Sequence, residues 1–102
     1  MMKVLFVCCA GMSTSLLVEK VRQTAKDRGV EMELDALGES DARKNLSVAD
    51  VVLLGPQVRY LEKSLGKEIE GTNTKLAMAD MLAYGRLDGG KILDQILELY
   101  NS

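Results

Sequence analysis

Two unbroken apolar runs do most to limit what this chain can fold into: Val4-Leu5-Phe6-Val7, leading into Cys8, and Val51-Val52-Leu53-Leu54. Runs of this length are too short for a helix buried all round and suit strands covered on both faces. Gly11 bounds the first and Gly55-Pro56 stops the second, and each is followed by residues at helical spacing. Leu17, Val21 and Ala25 recur with Glu19, Lys20, Arg22 and Lys26 on the other side, predicting a helix from Ser13 that stops at Gly29. Val58, Leu61 and Leu65 predict another that ends at Gly66.

The remaining segments repeat the alternation. Glu31 to Leu37 alternates polar and apolar residues, which predicts a strand with one wetter face at a sheet edge. Ser40 to Leu46 reads as a short helix, Thr74 to Met78 as a fourth strand, and Asp80 to Ala83 as a turn of helix. Ile92, Leu93, Ile96, Leu97 and Tyr100 form the apolar stripe of a C-terminal helix. Strands alternating with helices imply parallel strands joined by right-handed crossovers. The expected fold is α/β: an open, doubly wound, four-stranded parallel sheet with helices on both faces, in one domain over residues 1–102. Ligands bind such sheets beyond the carboxyl ends of the strands, where the winding reverses. If the first and third strands flank that reversal, the turns after Cys8 and Leu54 converge.

A formal charge of −2, with Lys and Arg scattered, gives no field to hold a nucleic acid backbone. The opening apolar run is too short for a secretion signal or a membrane span, which places the chain in the cytoplasm. Cys8 and Cys9 are the only cysteines and are adjacent, so they neither close a loop nor supply spaced zinc ligands. The chain has no histidine, which removes a Cys–His pair, a Ser–His–Asp triad and the commonest metal ligand together. No metal or cofactor is implied, and any histidine the chemistry needs must come from another molecule.

Cys8-Cys9-Ala10-Gly11-Met12-Ser13-Thr14-Ser15 joins the first strand to the first helix. Small residues let the backbone curl round a ligand, and the helix start points N–H groups and a partial positive charge into the curl. Ser13, Thr14 and Ser15 add hydroxyls, one of them serving as N-cap. The same dipole favours the thiolate of a cysteine at the mouth of this anion cradle and makes it a nucleophile. A cysteine ending a core strand is also an ordinary small hydrophobe, and the loop chemistry decides against that reading. No Lys follows Gly11 and two of three dinucleotide-loop glycines are missing, so nucleotides are disfavoured. Low-molecular-weight cysteine phosphatases share the strand, cysteine, loop and helix, but require an Arg where this chain has Thr14. Without that Arg a phosphocysteine is held rather than rapidly hydrolysed, which suits handing the group on.

Cys8-x-Ala10-Gly11-Met12-Ser13-Thr14-Ser15-x-Leu17-Val18, then Ala49 to Val58 with Tyr60, then Tyr84-Gly85-x-x-Asp88-Gly89, closely resembles the enzyme IIB components of the lactose/chitobiose (cellobiose) family of the bacterial phosphotransferase system. The resemblance spans nearly the whole chain. It implies a low-molecular-weight phosphatase-like fold and a relay. A histidine-phosphorylated IIA protein donates to Cys8, which donates to a sugar held by the membrane-embedded IIC permease, a β-linked disaccharide such as cellobiose, chitobiose or lactose. Cys9 to Ser15 match the loop that wraps the phosphoryl group, and transfer between proteins places Cys8 near the surface. Cys9 departs from the family pattern, which has Ser or another small residue there. The rival readings are a phosphatase or arsenate-reductase-like enzyme using the same cysteine, and a non-catalytic phosphate-sensing domain.

Weaker candidates surround the second turn. Gln57 is placed to reach phosphoryl oxygens or a partner. Tyr60 and Tyr84 either reach the site or pack on the sheet, with packing favoured. Met12 sits in the loop, adaptable enough for docking. Arg59 and Arg86 read as solvated charges, and Asp80 and Asp88 as helix caps.

Overall fold

The structure, a computed structural model, describes residues 1–8 and 12–102, with Met12, Ser13 and Thr14 described in backbone only. Four strands form one parallel sheet: β1 (Met2–Val7), β2 (Met32–Leu37), β3 (Val51–Leu54) and β4 (Lys75–Met78), in the order β2-β1-β3-β4. β1 pairs with β2 from Met2↔Met32 to Val7↔Leu37 and with β3 from Val4↔Val51 to Val7↔Leu54. β3 pairs with β4 from Val51↔Lys75 to Leu54↔Met78. The winding reverses between β1 and β3, which meets the condition under which the turns after Cys8 and Leu54 converge. The alternating strand β2 lies at an edge, with Glu33 exposed and Leu34 buried.

Successive residues of β1 and β3 point to opposite faces, so two continuous apolar runs build two cores. Val4, Phe6, Val51 and Leu53 pack with Leu17, Val18 and Val21 of α1 (Met12–Asp27) and with Ile92, Leu93 and Ile96 of α5 (Gly89–Tyr100). Ala83 of α4 (Met81–Gly85) joins them. On the other face Leu5, Val7, Val52 and Leu54 pack with Ala42 of α2 (Glu39–Asn45) and Leu65 of α3 (Glu62–Glu68). The sheet is thus wound on both faces. At its amino end the Asp50 carboxylate accepts the Lys3 N–H at 2.8 Å, and the Asp50 C=O accepts from Lys75 N–H at 2.9 Å, tying β1, β3 and β4 together.

Three expectations need correction. The helix predicted over Val58, Leu61 and Leu65 is broken: Pro56–Leu61 forms 3₁₀ turns kinked at Val58 (φ −119°, ψ 22°), and α3 follows. Val58 and Leu61 are three apart, the repeat of a 3₁₀ turn, whereas Leu61 and Leu65 are four apart, the repeat of an α-helix. Gly66 does not end α3, because an interior glycine costs only about 1 kcal/mol. A Cβ there would make an ordinary 3.8 Å contact with Leu76, and the left-handed backbone comes at Gly71, φ +81°. Tyr100 leaves the stripe of α5, 47% exposed, while Ile92, Leu93 and Ile96 are fully buried. Asp80 and Asp88 cap α4 and α5, accepting from Ala83 N–H (2.9 Å) and Lys91 N–H (3.1 Å).

Candidate functional site

Cys8 follows the last residue of β1, one of the two strands bonded on both sides. Its N–H donates to Leu37 C=O (2.9 Å), extending the ladder one step past the strand, while Gly55 N–H donates to Val7 C=O (2.8 Å). The register that pairs Val7 with Leu54 therefore sets Cys8 beside Gly55, at the reversal of the winding. The turn after β2 closes in as well, since a Cβ on Gly38 would lie 4.0 Å from the Cys8 carbonyl oxygen. Cys8 is 7% exposed, so the strand end lies closer to the core than the surface position the sequence reading assigns it.

Helix α1 begins at Met12, four residues after Cys8, and its axis dipole places its positive end on the Cys8 side. Met12, expected in the loop, is its first residue. Cys9, Ala10 and Gly11 of the expected phosphate loop lie outside the described residues, as do the side chains of Met12, Ser13 and Thr14. Ser15 is in the first turn of α1 and exposed. Among the described residues no group of three or more His, Cys, Asp or Glu gathers to hold a metal ion.

The second turn supplies a tighter constellation than its sequence suggests. Gln57 folds back so that its Oε1 would lie 3.0 Å from a Cβ on Gly55, which would also meet Val7 C=O at 3.4 Å. The Gln57 carboxamide thus covers Gly55 beside Cys8, over space that a side chain would fill. Tyr84 donates its hydroxyl to the same Oε1 at 3.3 Å, and its ring stacks on Phe6 of β1, centroids 6.1 Å apart. Gln57 and Tyr84 are brought together. Tyr60 is not: it is 69% exposed and does not pack on the sheet, because Val58 and Leu61 take the inward face of the 3₁₀ segment. Arg59 and Arg86 are exposed, as predicted.

Sequence reasoning missed Gln95. From α5 it donates its Nε2 to Met78 C=O (2.8 Å) and accepts Asp80 N–H on Oε1 (2.9 Å). A polar residue on a helix carries no sequence signal of a bond to a strand edge.

Comparison with known proteins decides the family. The model described as "PTS system, Lactose/Cellobiose specific IIB subunit" matches residues 3–95. The chain belongs to that family. It is a IIB component of a sugar phosphotransferase system, and such components are phosphotransferases. The oligo-beta-mannoside-specific EIIB component of Bacillus subtilis is 43% identical over 99 residues, covering 97% of this chain and 96% of that protein. The cellobiose-specific component of Lactococcus lactis is 36% identical, covering 92% of each. The solution structure of the cellobiose-specific IIB component from Borrelia burgdorferi superposes with a TM-score of 0.80 at 32% identity, covering 98% of this chain and 92% of that one. The lactose-specific IIB domain of Streptococcus pneumoniae, at 22% identity, shares the fold with a TM-score of 0.86 and covers 97% of each chain. The low-molecular-weight phosphatase-like fold of IIB domains is therefore the fold of this chain.

Proposed function

We propose that Cys8 is the phosphoryl carrier of this IIB component. The Cys8 Sγ attacks the phosphorus of a phosphohistidine on a IIA protein, so that an S–P bond forms as the N–P bond breaks. The thiolate then leaves as a sugar hydroxyl, losing its proton, takes the phosphoryl group at the membrane IIC permease. The carrying observation is the placement of Cys8 at the end of the central strand, beside the reversal of winding and ahead of the positive end of α1. Cys9 to Ser15 wrap the bound phosphoryl group through backbone N–H groups and hydroxyls, and the Gln57 amide closes its side.

Partner docking draws on exposed apolar residues of elements that leave the carboxyl ends of the strands: Leu16 (51%), Tyr60, Met81 (57%) and Leu82 (61%). No described helix is long and apolar enough to cross a membrane, which suits a carrier that works in the cytoplasm and meets the inner face of the membrane through IIC. Oligo-β-mannoside- and cellobiose-specific relatives support a β-linked sugar as the final acceptor.

Intact-mass and peptide analysis after incubation with phosphoenolpyruvate, the general phosphotransferase proteins and the cognate IIA tests this. One phosphoryl group on Cys8, absent from Cys8→Ser and discharged by IIC with sugar, is the expected result. No label from a demonstrably active donor overturns it, and turnover of a phosphate ester by the chain alone would make it a phosphatase.

A further inference from the structure

Beyond its last rungs, β4 is an edge strand, and an edge leaves alternate backbone groups without a neighbouring strand. Ala79 N–H faces inward and donates to Leu54 C=O at 2.9 Å. Met78 C=O and Asp80 N–H, on either side of it, are the two groups that Gln95 takes, at 2.8 and 2.9 Å. A primary amide presents a donor and an acceptor in one plane, as a neighbouring peptide does, so Gln95 stands in for one rung of a missing strand. The rung is placed where β4 turns into α4, at the carboxyl end of the sheet.

Asp80, held by that rung, is the N-cap of α4, and α4 carries Tyr84. From there the Tyr84 hydroxyl reaches Gln57 Oε1 and its ring lies on Phe6. Because the hydroxyl donates to the oxygen of the Gln57 carboxamide, that contact leaves the Nε2 hydrogens to act as donors, the polarity a phosphoryl oxygen requires. We propose that Gln95 is a positioning residue for phosphoryl transfer: by closing the β4–α4 turn it holds Tyr84, and through Tyr84 the Gln57 amide, in register with Cys8. This rests on the carrier reading of Cys8. It adds a residue that touches neither the phosphoryl group nor the reacting sulfur.

The test uses the full chain as Gln95→Leu, Gln95→Glu, Tyr84→Phe and the Gln95→Leu/Tyr84→Phe double variant. Phosphoryl acceptance from the phosphorylated IIA protein is followed at a temperature well below every variant's melting point, with kcat and the KM for IIA determined separately. Gln95→Leu and Tyr84→Phe are each expected to lower kcat about tenfold with KM little changed, and the double variant to be no slower than the slower single one. Gln95→Glu keeps size and the acceptor for Asp80 but sets an oxygen against Met78 C=O, so it should lose rate like Gln95→Leu. A purely packing role would leave Gln95→Glu at the wild-type rate. Additive losses, or a lower melting point with unchanged kcat, overturn the proposal. A second readout needs no reaction: the ¹H–¹⁵N signals of the Gln57 side-chain amide should shift in Gln95→Leu as they do in Tyr84→Phe, and signals unmoved by Gln95→Leu likewise overturn it. Wild type that takes no phosphoryl group from active IIA sinks the carrier reading, while the amide signals still decide whether Gln95 positions Gln57.

Discussion

Gly55 lacks a side chain for a reason of space. Its φ of −67° suits any residue, but a Cβ would stand 3.0 Å from Gln57 Oε1, 3.4 Å from Val7 C=O and 3.7 Å from Phe6 Cε1. The nearest of these is the end of a flexible side chain, which gives way more readily than backbone. Gly55→Ala should therefore displace the Gln57 amide and slow phosphoryl acceptance about tenfold, while thermal denaturation finds the fold nearly as stable as wild type. A wild-type rate would show that the amide has no part in transfer. At this scale the sequence singles out Cys8, Gln57 and Tyr84 as candidates, because each sits at the end of a recognisable strand or in a spaced motif. It hides why position 55 is glycine, since a strand-stopping glycine and one vacated for a neighbour read the same. Tyr60 misleads because an amphipathic ring is compatible with packing and with exposure, and only the 3₁₀ phase decides which face it takes.

Helices α1 and α5 meet where Gly89, fully inside the contact, faces the backbone of Lys20: a Cβ would lie 2.8 Å from its carbonyl carbon and oxygen. Two effects oppose each other in Gly89→Ala. Alanine is favoured over glycine in a helix by about 1 kcal/mol, whereas overpacking against a surface that cannot yield costs about 1–3 kcal/mol. The obstacle is backbone on both sides, so the clash wins, and urea denaturation should show a lower midpoint at an unchanged slope. Element types were readable from periodicity because the apolar runs are either continuous or spaced by three and four. Boundaries were not, where two periods abut: the spacing of three at Val58–Leu61 and of four at Leu61–Leu65 merge into one helix on paper. Gly66 reads as a stop on paper, and only the backbone angles show that the left-handed residue is Gly71.

The whole molecule is two cores sharing one sheet. Ile96 is fully buried on one face and Leu65 on the other, and the strands between them contribute alternate residues to each. Truncation to alanine at either site should cost about 2–5 kcal/mol. The double variant should lose nearly the sum, still in a single unfolding transition, since neither face can keep its core once the sheet is lost. Separate transitions by circular dichroism and tyrosine fluorescence would mean that the faces fold independently. The parallel sheet and the edge position of β2 followed from the sequence because the strand–helix alternation and the wetter face of β2 leave few arrangements open, whereas the full strand order and contacts such as Gln95 on the β4 edge depend on distances that no pattern encodes. Of the four strands only β1 and β3 have neighbours on both sides, and the Cys8 N–H is itself bonded to Leu37. Local openings of a native protein begin at edges and turns and reach central strands last. If Cys8 carries the phosphoryl group as proposed, its sulfur is held on a part of the backbone expected to open last, while β2, β4 and the turns around them open first.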